Sequence, residues 1–539
     1  MATELSTKVL DHLGLVSGMC DELDLVRQID SLVPQDLGQR EVGIGTICKA
    51  LIINGLGFVQ RRLYMVSSFF EGKPTGLLLG EGIEPGHLND TVIGRALDAL
   101  HGYGCTKLFS ELSPVICANL GLSPRHIYMD STDFHLDGRY NADNPPEEGS
   151  KVLHLTKGYS RDHRPDLNQV VLNMIVENQA RIPVHMEALN GNSSDKTSFR
   201  TTIERHIGQL QNAPGFGYLN MDSAGYTSET IGTYSGQVKW ISRVPETVGG
   251  CRELVSAGLS FSELAPGYQY AELGSNYAGV PQRWLVVHSE EAHKREVRTL
   301  VKNYAKQGKQ EYRQVLKLQK KEFSCLQDAE RAAHELMAKT RTLALEQLSV
   351  IEKATYKSKG RPAKGSKPEK KSYFLELMVS TPISRFNELK DQKGKFILAT
   401  NELDSEKLPD SEVLSGYKGL SKVERGFRFL KDPQFVASGL FVKKPERVEA
   451  LVFIMTLCLT VYAALEYRIR QQLKSKQEYL PNQIGKKIQN PTSRWIFEIF
   501  IGIHLLYGKG TPIVLNMKTI HLDILELLGS QYKKYYLRE

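Results

Sequence analysis

Three acidic residues far apart in the chain, Asp130, Asp222 and Glu424, have the types and settings of a site for divalent cations. Asp130 ends the strand-like run His126–Met129, and Asp222 ends the run Tyr218–Met221. If these strands are parallel neighbours, both carboxylates emerge at the edge of the sheet where open α/β sheets form ligand sites. Two carboxylates that close repel each other unless a cation joins them, and an all-oxygen ligand set favours Mg²⁺ or Mn²⁺ over zinc. A lone aspartate at the end of a strand is ordinarily a turn residue, so the prediction depends on the pair.

Glu424 lies in a segment, residues 417–431, that combines a charged stripe with an apolar one. On a helix, one face of this segment lines up a phenol, a carboxylate and two cations, from Tyr417, Glu424, Arg428 and Lys431. The apolar residues beside them would seat the helix on a core. The alternative is an amphipathic helix with a solvated charged face, and the segment taken alone favours that alternative.

The elements that must position these residues follow in a set order from residue 125 to 244: strand, two hairpin strands, helix, strand, helix, strand. The hairpin joins Gln169–Val176 to Arg181–Leu189, two β-branched runs that flank a polar turn. Asp133 competes with Asp130 for the first acidic position, but it stands further past the strand-like run and we prefer Asp130.

The regions on either side of residues 125–244 predict further structural elements. Residues 1–120 hold short helical patterns broken by glycine, compatible with a DNA-binding helix-turn-helix module or with a plain helical bundle. The region 245–410 reads as strand-prone to about 289 and then, over 309–359, as long helices, since that window contains no Gly or Pro. Lys357–Lys371 is a basic linker interrupted by Pro and Gly.

Composition bounds the class of protein. With 539 residues, 41% hydrophobic and 24% charged, the chain is long enough for two to four domains of a soluble globular protein. Its seven cysteines include no C-x-x-C pair, which argues against a zinc ribbon or a disulfide framework and fits a reducing compartment. The apolar run Ala450–Leu465 is 16 residues long and predicts a buried helix rather than a membrane span. We expect a cytoplasmic protein without a signal peptide.

Positive charge is concentrated in one region. Residues 291–371 contain 21 Lys and Arg against 10 Asp and Glu, a net +11, which leaves −3 for the rest of a chain whose net charge is +8. A basic segment on a near-neutral body indicates a polyanionic partner. A solvated helix rich in Lys and Arg explains the charge equally well.

Six motifs in order give a resemblance to a known family. They are Asp130-Ser-Thr, the stretch from Lys157 to Leu167, Gly191-Asn with Asp195, Asp222-Ser-Ala-Gly-Tyr226, Tyr417 with Glu424 and Lys431 at seven-residue steps, and Asn490-Pro-Thr with Arg494 and Trp495. Over about residues 125 to 500 the chain resembles the DDE transposases of bacterial insertion sequences. The resemblance is to the group with a ribonuclease-H-like core and a long insertion before the glutamate.

The resemblance implies a role for each site residue. Asp130, Asp222 and Glu424 match the catalytic triad that holds two Mg²⁺ (or Mn²⁺) ions, and gaps of 92 and 202 residues (222 − 130 and 424 − 222) fit a core with an insertion in the second gap. Tyr417 and Lys431 match family positions that contact DNA.

Two further DNA contacts are less direct. Leu420 stands where the family has an arginine, and Arg428 on the same stripe is a candidate to replace its phosphate contact. Trp284, in the insertion, is a candidate to stack on an unpaired or flipped base, with a buried strand tryptophan as the alternative.

The predicted fold class is α/β, with a ribonuclease-H-like mixed sheet flanked by helices, a helical N-terminal domain and an insertion domain of strands and long helices. The predicted domains are 1–120 (DNA-end binding), 121–244 (core, first part), 245–410 (insertion), 411–474 (core, glutamate helix and the next helix) and 475–539 (C-terminal appendage).

The function this implies is metal-dependent cleavage and strand transfer at the terminal inverted repeats of an insertion sequence. The expected partners are double-stranded DNA, as element ends and as target, and a second copy of the chain in a homodimer; no membrane is expected. On DNA, the protein would be associated with the nucleoid. A structure-specific nuclease of the same fold and a catalytically inactive DNA-binding protein remain alternatives.

Overall fold

Strands that are buried along nearly their whole length build the central sheet of a mixed α/β fold, seen in a computed structural model. The structure describes residues 5–36, 38, 41–58, 65–136, 140, 146–147, 150, 152–160, 164–193, 202–203, 217–256, 258–357, 367–432, 442–508 and 511–537. Two compact units share the chain. The first comprises Met1–Arg243, Ser275–Gln282 and Thr400–Glu539, and the second Val244–Gly274 and Arg283–Ala399. The division of the chain into five domains stays a prediction.

The helices, in chain order, are α1 (Leu13–Glu22), α2 (Leu25–Leu32), α3 (Ile44–Leu56), α4 (Val66–Glu71), α5 (Thr75–Leu79), α6 (Asp90–Tyr103), α7 (Cys105–Leu120), α8 (Ser228–Tyr234), α9 (Cys251–Ser256), α10 (Glu290–Gln319), α11 (Leu326–Lys339), α12 (Ile383–Asp391), α13 (Asp410–Leu430), α14 (Pro445–Ser475), α15 (Ser493–Ile499), α16 (Thr519–Leu528) and α17 (Ser530–Tyr536).

The strands are β1 (Ser6–Val9), β2 (His126–Leu136), β3 (Asn168–Glu177), β4 (Pro183–Leu189), β5 (Tyr218–Met221), β6 (Trp240–Arg243), β7 (Ser262–Ala265), β8 (Tyr268–Ser275), β9 (Gln282–Ser289), β10 (Ala344–Thr355), β11 (Lys370–Ser380), β12 (Lys395–Thr400), β13 (Leu480–Pro481), β14 (Lys487–Ile488), β15 (His504–Tyr507) and β16 (Ile513–Leu515).

In the first unit the strands lie in the order β4-β3-β2-β5-β6. The pairs β4–β3 and β3–β2 are antiparallel, and the pairs β2–β5 and β5–β6 are parallel. The predicted hairpin is therefore confirmed as β3 and β4. The parallel pairing of β2 with β5, on which the predicted site depends, is also present.

One hydrophobic core joins α1 to α7, the strands β2 to β4, α13, α14 and the C-terminal helices. The apolar helix α14 is long and apolar enough to span a membrane, but 78% of its apolar window is buried within the protein. It is a core helix, as its sequence predicts. N-terminal and C-terminal elements meet in this core, because β1 pairs with β15 and the α17 side chains Tyr532 and Tyr536 pack against Gly18 and Gly14.

His12, just before α1, gives this core a pH dependence. Its Nε2 donates a hydrogen bond to the Leu56 carbonyl (2.8 Å), and its ring stacks on Phe497. Burial lowers the pKa of His12 to about 4. Because the folded protein keeps this imidazole neutral, it binds fewer protons than the unfolded chain. The stabilisation is therefore complete above about pH 6.5 and is lost as the pH falls towards 4.

We predict that this one group removes about 3 kcal/mol from the free energy of unfolding between pH 7 and pH 4. Urea unfolding across that range measures the loss. The His12→Asn variant should be less stable at pH 7 but should show a shallower decline. A matched change of the exposed His334 to Asn should leave the decline as in the wild type, and an equally steep decline in His12→Asn would contradict the assignment.

In the second unit the strands lie in the order β12-β9-β8-β7. A separate core packs α10 and α11 against the antiparallel hairpin of β10 and β11. The long helices of the insertion are thus present, but residues 344–355, predicted as helix, form β10 instead. Of the predicted linker, residues 358–366 lie outside the described residues, while Lys370 and Lys371 pair with Glu322 and Glu352.

Candidate active site

Asp130 and Asp222 lie beside each other on neighbouring parallel strands. β5 ends directly before Asp222, as predicted, but β2 continues past Asp130 to Leu136, so the predicted end of the first strand at Asp130 is wrong. Met129 on β2 is the direct partner of Met221 on β5, and the two aspartates follow these residues. Side chains alternate between the faces of a strand, so both aspartates share the face of Tyr128 and Asn220. Both are half-buried. The structure therefore brings together two of the three predicted acidic residues.

Each aspartate is partly held by the backbone that follows it. Asp130 Oδ1 accepts a hydrogen bond from the Ser131 N–H (2.8 Å), and Asp222 Oδ1 accepts one from the Ala224 N–H (2.8 Å). Ser242 Oγ, on β6, donates to the Asp222 carbonyl (3.0 Å). The bonds from Ser131 and Ala224 orient the two carboxylates, whereas the bond from Ser242 holds the Asp222 main chain.

Helix α13 lies directly on this face because two of its residues are glycines. A Cβ on Gly416 would stand 2.8 Å from Asn220 Oδ1, and one on Gly419 would stand 2.0 Å from the Tyr128 hydroxyl. Any larger residue would lift the helix from the sheet. Glycine is thus used here for close approach between backbone and side chain.

The alignment of α13 with β2 sets the height of Glu424 above the sheet edge. Gly416 contacts His126 and Gly419 contacts Tyr128, so helix and strand run in the same direction. Glu424 is eight residues beyond Gly416, about 12 Å along the helix. Asp130 is four residues beyond His126, about 13 Å along the strand. Glu424 therefore lies at about the level of the two aspartates.

The Glu424 side chain is turned towards its own helix. Its Oε2 is 3.7 Å from Arg428 Nη2, and both side chains are largely exposed, 61% for Glu424 and 76% for Arg428. Within the part of the chain that the structure describes, no group of three or more Asp, Glu, His or Cys side chains is close enough to hold a metal ion. The third carboxylate would have to turn from Arg428 to join the pair.

The rest of the predicted stripe is only partly directed at the site. Lys431, directly after α13, places its Nζ 3.9 Å from Asp133 Oδ1 on β2. Tyr417 is half-buried. Leu420, at the position where DDE transposases have an arginine, packs against the hydrophobic core. Its side chain therefore contributes to the packing of α13.

Trp284, the candidate for stacking on a base, is a buried residue in the structure. It is 5% exposed within β9, a strand whose residues are buried on both faces. The proposed stacking on a base is therefore wrong for this arrangement, and the buried alternative holds. Asp195 lies outside the described residues.

Sequence reasoning missed the group that fixes the start of α13. Glu412 Oε1 accepts hydrogen bonds from Arg125 Nε (2.5 Å) and His126 Nε2 (2.8 Å). Burial acts to raise the pKa of Glu412, but the hydrogen bonds from Arg125 and His126 outweigh it and hold this pKa low. Burial also lowers the pKa of His126. No motif marks these residues, although Arg125 and His126 directly precede the Asp130 run.

A cavity of about 310 Å³ opens beside α13, between α14 and the start of α15. Its apolar floor includes Phe429 and Tyr462, whose stacked rings have centroids 4.4 Å apart. Four arginines line it, against two carboxylates of Asp432 and Glu466: Arg181, Arg428, Arg470 and Arg494. Its lining is thus cationic on balance.

Comparisons with known proteins bear on parts of the chain. Residues 5–114 match a family model described as "Domain of unknown function (DUF4277)". No curated relative matches the sequence. Among solved structures, the chain is similar to piggyBac transposase in a synaptic complex with hairpin DNA, at a TM-score of 0.37 and 8% identity, covering 90% of this chain and 80% of that chain. A likeness that loose carries no functional argument.

Proposed function

We propose that the protein is a DDE transposase with a ribonuclease-H-like core, which cuts and joins DNA at the ends of an insertion sequence. The observation that carries the proposal is the in-register parallel pairing of β2 with β5. It sets Asp130 and Asp222 side by side beneath the helix that bears Glu424. The two residues are 92 positions apart in the chain (222 − 130), and each bears a carboxylate.

The donor set fits hard divalent cations. Two half-buried carboxylates on adjacent strands offer oxygen ligands, the kind that Mg²⁺ and Mn²⁺ prefer. Asp130, Asp222 and Glu424 would hold two such ions. When bound, these ions supply activation of the attacking oxygen and stabilisation of the leaving oxygen at a phosphodiester.

Glu424 can join the aspartates at low cost. Its pair with Arg428 is exposed, and such pairs one helical turn apart are worth only about 0.3–0.5 kcal/mol. Turning Glu424 towards the sheet would leave the Arg428 guanidinium to bind a DNA phosphate. Arg428 also lines the cationic cavity, so a phosphate held there would lie beside the proposed site.

The remaining residues supply positioning and charge. Lys431 would neutralise a phosphate next to the scissile bond, and Tyr417 would contact the DNA from the same stripe. The basic helices of the second unit would bind the backbone of DNA without reading its sequence. We further propose that a homodimer holds two element ends and delivers them to target DNA, and that it works in the cytoplasm on the nucleoid.

The proposal is tested with the full-length protein and duplex DNA containing the sequences that flank its own reading frame. With Mg²⁺ we expect cleavage at matching inverted repeats and joining of the cut ends to a target plasmid. Chelation by EDTA should abolish both products, because EDTA removes the divalent cations that the three carboxylates would hold. Denaturing gels resolve the nicked and joined strands.

The same assay separates the alternatives. Nicking without joining would favour a structure-specific nuclease of this fold. Binding without nicking or joining, in Mg²⁺ and in Mn²⁺, would favour a catalytically inactive DNA-binding protein. Cleavage that persists in EDTA would overturn the metal-dependent mechanism.

A further inference from the structure

A buried carboxylate that the proposed chemistry does not use lies three residues beyond Asp130. Asp133, on β2, is 3% exposed. Among the described residues, neither of its carboxylate oxygens has a hydrogen-bond partner. Burying an ionised group without hydrogen bonds is costly. A buried carboxylate of this kind therefore needs a nearby positive charge to stabilise it.

Two basic side chains face this carboxylate. Lys431 Nζ is 3.9 Å from Oδ1, and His135 Nε2 is 3.4 Å from Oδ2. His135 carries a charge only when protonated, and its Nε2 also lies 2.8 Å from Ser160 Oγ. Lys431 is thus the permanent counter-charge of Asp133.

The geometry points to Asp133 as a positioning residue: we propose that it holds the Lys431 ammonium beside β2, in place for contact with a DNA phosphate. This inference deepens the proposed function and its catalytic part rests on it. Asp133 would not touch the DNA or the metal ions. It would act only through Lys431, by fixing a side chain that otherwise has four flexible carbons.

The separation suits that role. At 3.9 Å the ammonium is beyond hydrogen-bond length, so Asp133 attracts it without taking up one of its three N–H donors. Burial of Asp133 strengthens the attraction, since the field of the carboxylate is poorly screened there. Lys431 keeps 27% of its side chain exposed, which leaves it accessible to a phosphate. An anchored lysine loses less freedom when it binds.

A double-mutant cycle tests the catalytic part. Asp133→Asn and Lys431→Gln should each slow Mg²⁺-dependent cleavage, on the order of tenfold. The double variant should be no slower than Lys431→Gln alone, because Asp133 has no other route to the reaction. If the two losses multiply, Asp133 acts independently of Lys431 and the inference is overturned.

Chemical labelling tests the contact without any need for activity. Acylation by an amine-reactive ester, read residue by residue by mass spectrometry, should modify Lys431 several-fold faster in Asp133→Asn than in the wild type. The exposed Lys418 on α13 should react equally in both. An unchanged rate of Lys431 acylation would contradict the inference. A faster rate in a protein that cleaves no DNA would uphold the contact while the proposed function fails.

A measurement from the lysine side covers the case in which Asp133→Asn does not fold. Lys431→Met leaves the buried Asp133 without its permanent counter-charge, so its thermal unfolding midpoint should fall by several degrees. Lys418→Met should leave the midpoint unchanged. Equal thermal unfolding midpoints for the two variants would show that Lys431 does not stabilise the buried Asp133 carboxylate.

Discussion

Replacing Asp222 with asparagine is expected to reduce Mg²⁺-dependent DNA cleavage on the order of 10³-fold while the protein still folds and binds DNA. The loss follows because a neutral amide is a poor ligand for a hard cation, and a bound cation contributes several kcal/mol to transition-state stabilisation. Folding should survive, since the Asp222 Oδ1 that accepts from the Ala224 N–H has an equivalent oxygen in asparagine. Single-turnover cleavage, DNA-binding and thermal-unfolding measurements together check the prediction.

A change of ligand type separates a metal ligand from a structural residue. In Asp222→Cys, cleavage should be lost in Mg²⁺ but partly recovered in Mn²⁺, because a thiolate prefers softer cations. Asp523→Asn, an exposed aspartate on α16, should cleave like the wild type. Full activity in Asp222→Asn, or an equal loss in Asp523→Asn, would remove Asp222 from the site.

The parts of the fold that could be predicted are those encoded by neighbouring residues. The β3–β4 hairpin is marked by its own β-branched runs. Helix α6 begins after Asn89, a residue type that favours helix N-termini, and the Asn89 side chain accepts a hydrogen bond from the Val92 N–H. Strand β5 ends at Met221 as predicted. In each case the signal and the structure lie within the same few residues.

The parts that could not be predicted depend on partners far along the chain. Residues 7–13 have a helical pattern, yet Ser6–Val9 forms a strand. Its backbone hydrogen-bond partner is β15, about 500 residues later in the chain. Residues 344–355 lack Gly and Pro and look helical, but they pair with β11 beyond the linker. Tertiary pairing overrides local propensity in both places.

The candidate site shows the same division. The spacing of α13 placed Glu424, Arg428 and Lys431 on one stripe, and the structure shows the Glu424–Arg428 contact that such a one-turn step allows. The contact of Lys431 with Asp133 joins two elements about 300 residues apart. No pattern within either element encodes it. Sequence reasoning also gave Asp133 only the role of a competitor for Asp130.

Gly419, which lets α13 lie against the sheet, offers a test of whether that packing positions the glutamate. In Gly419→Ala the new Cβ would stand 2.0 Å from the Tyr128 hydroxyl and 2.2 Å from the ring carbon that bears it. Tyr128 is 3% exposed, so its ring cannot move aside and the helix must rise. We expect a net loss of about 2 kcal/mol in the free energy of unfolding, because overpacking outweighs the better helix propensity of alanine.

The larger effect should fall on cleavage. A displacement of about 1 Å at a catalytic group can cost on the order of 10²-fold in rate, and Gly419 is five residues from Glu424 on the same rigid helix. Tyr128→Leu should restore cleavage in the Gly419→Ala background, whereas Tyr128→Phe should not, since the clashing ring carbon remains. Gly426→Ala is the matched control, because its Cβ would meet only the Leu459 methyl groups, the nearer at 3.3 Å. If Gly419→Ala unfolds at lower denaturant yet cuts DNA at the wild-type rate, the seating of α13 on the sheet does not set the position of Glu424.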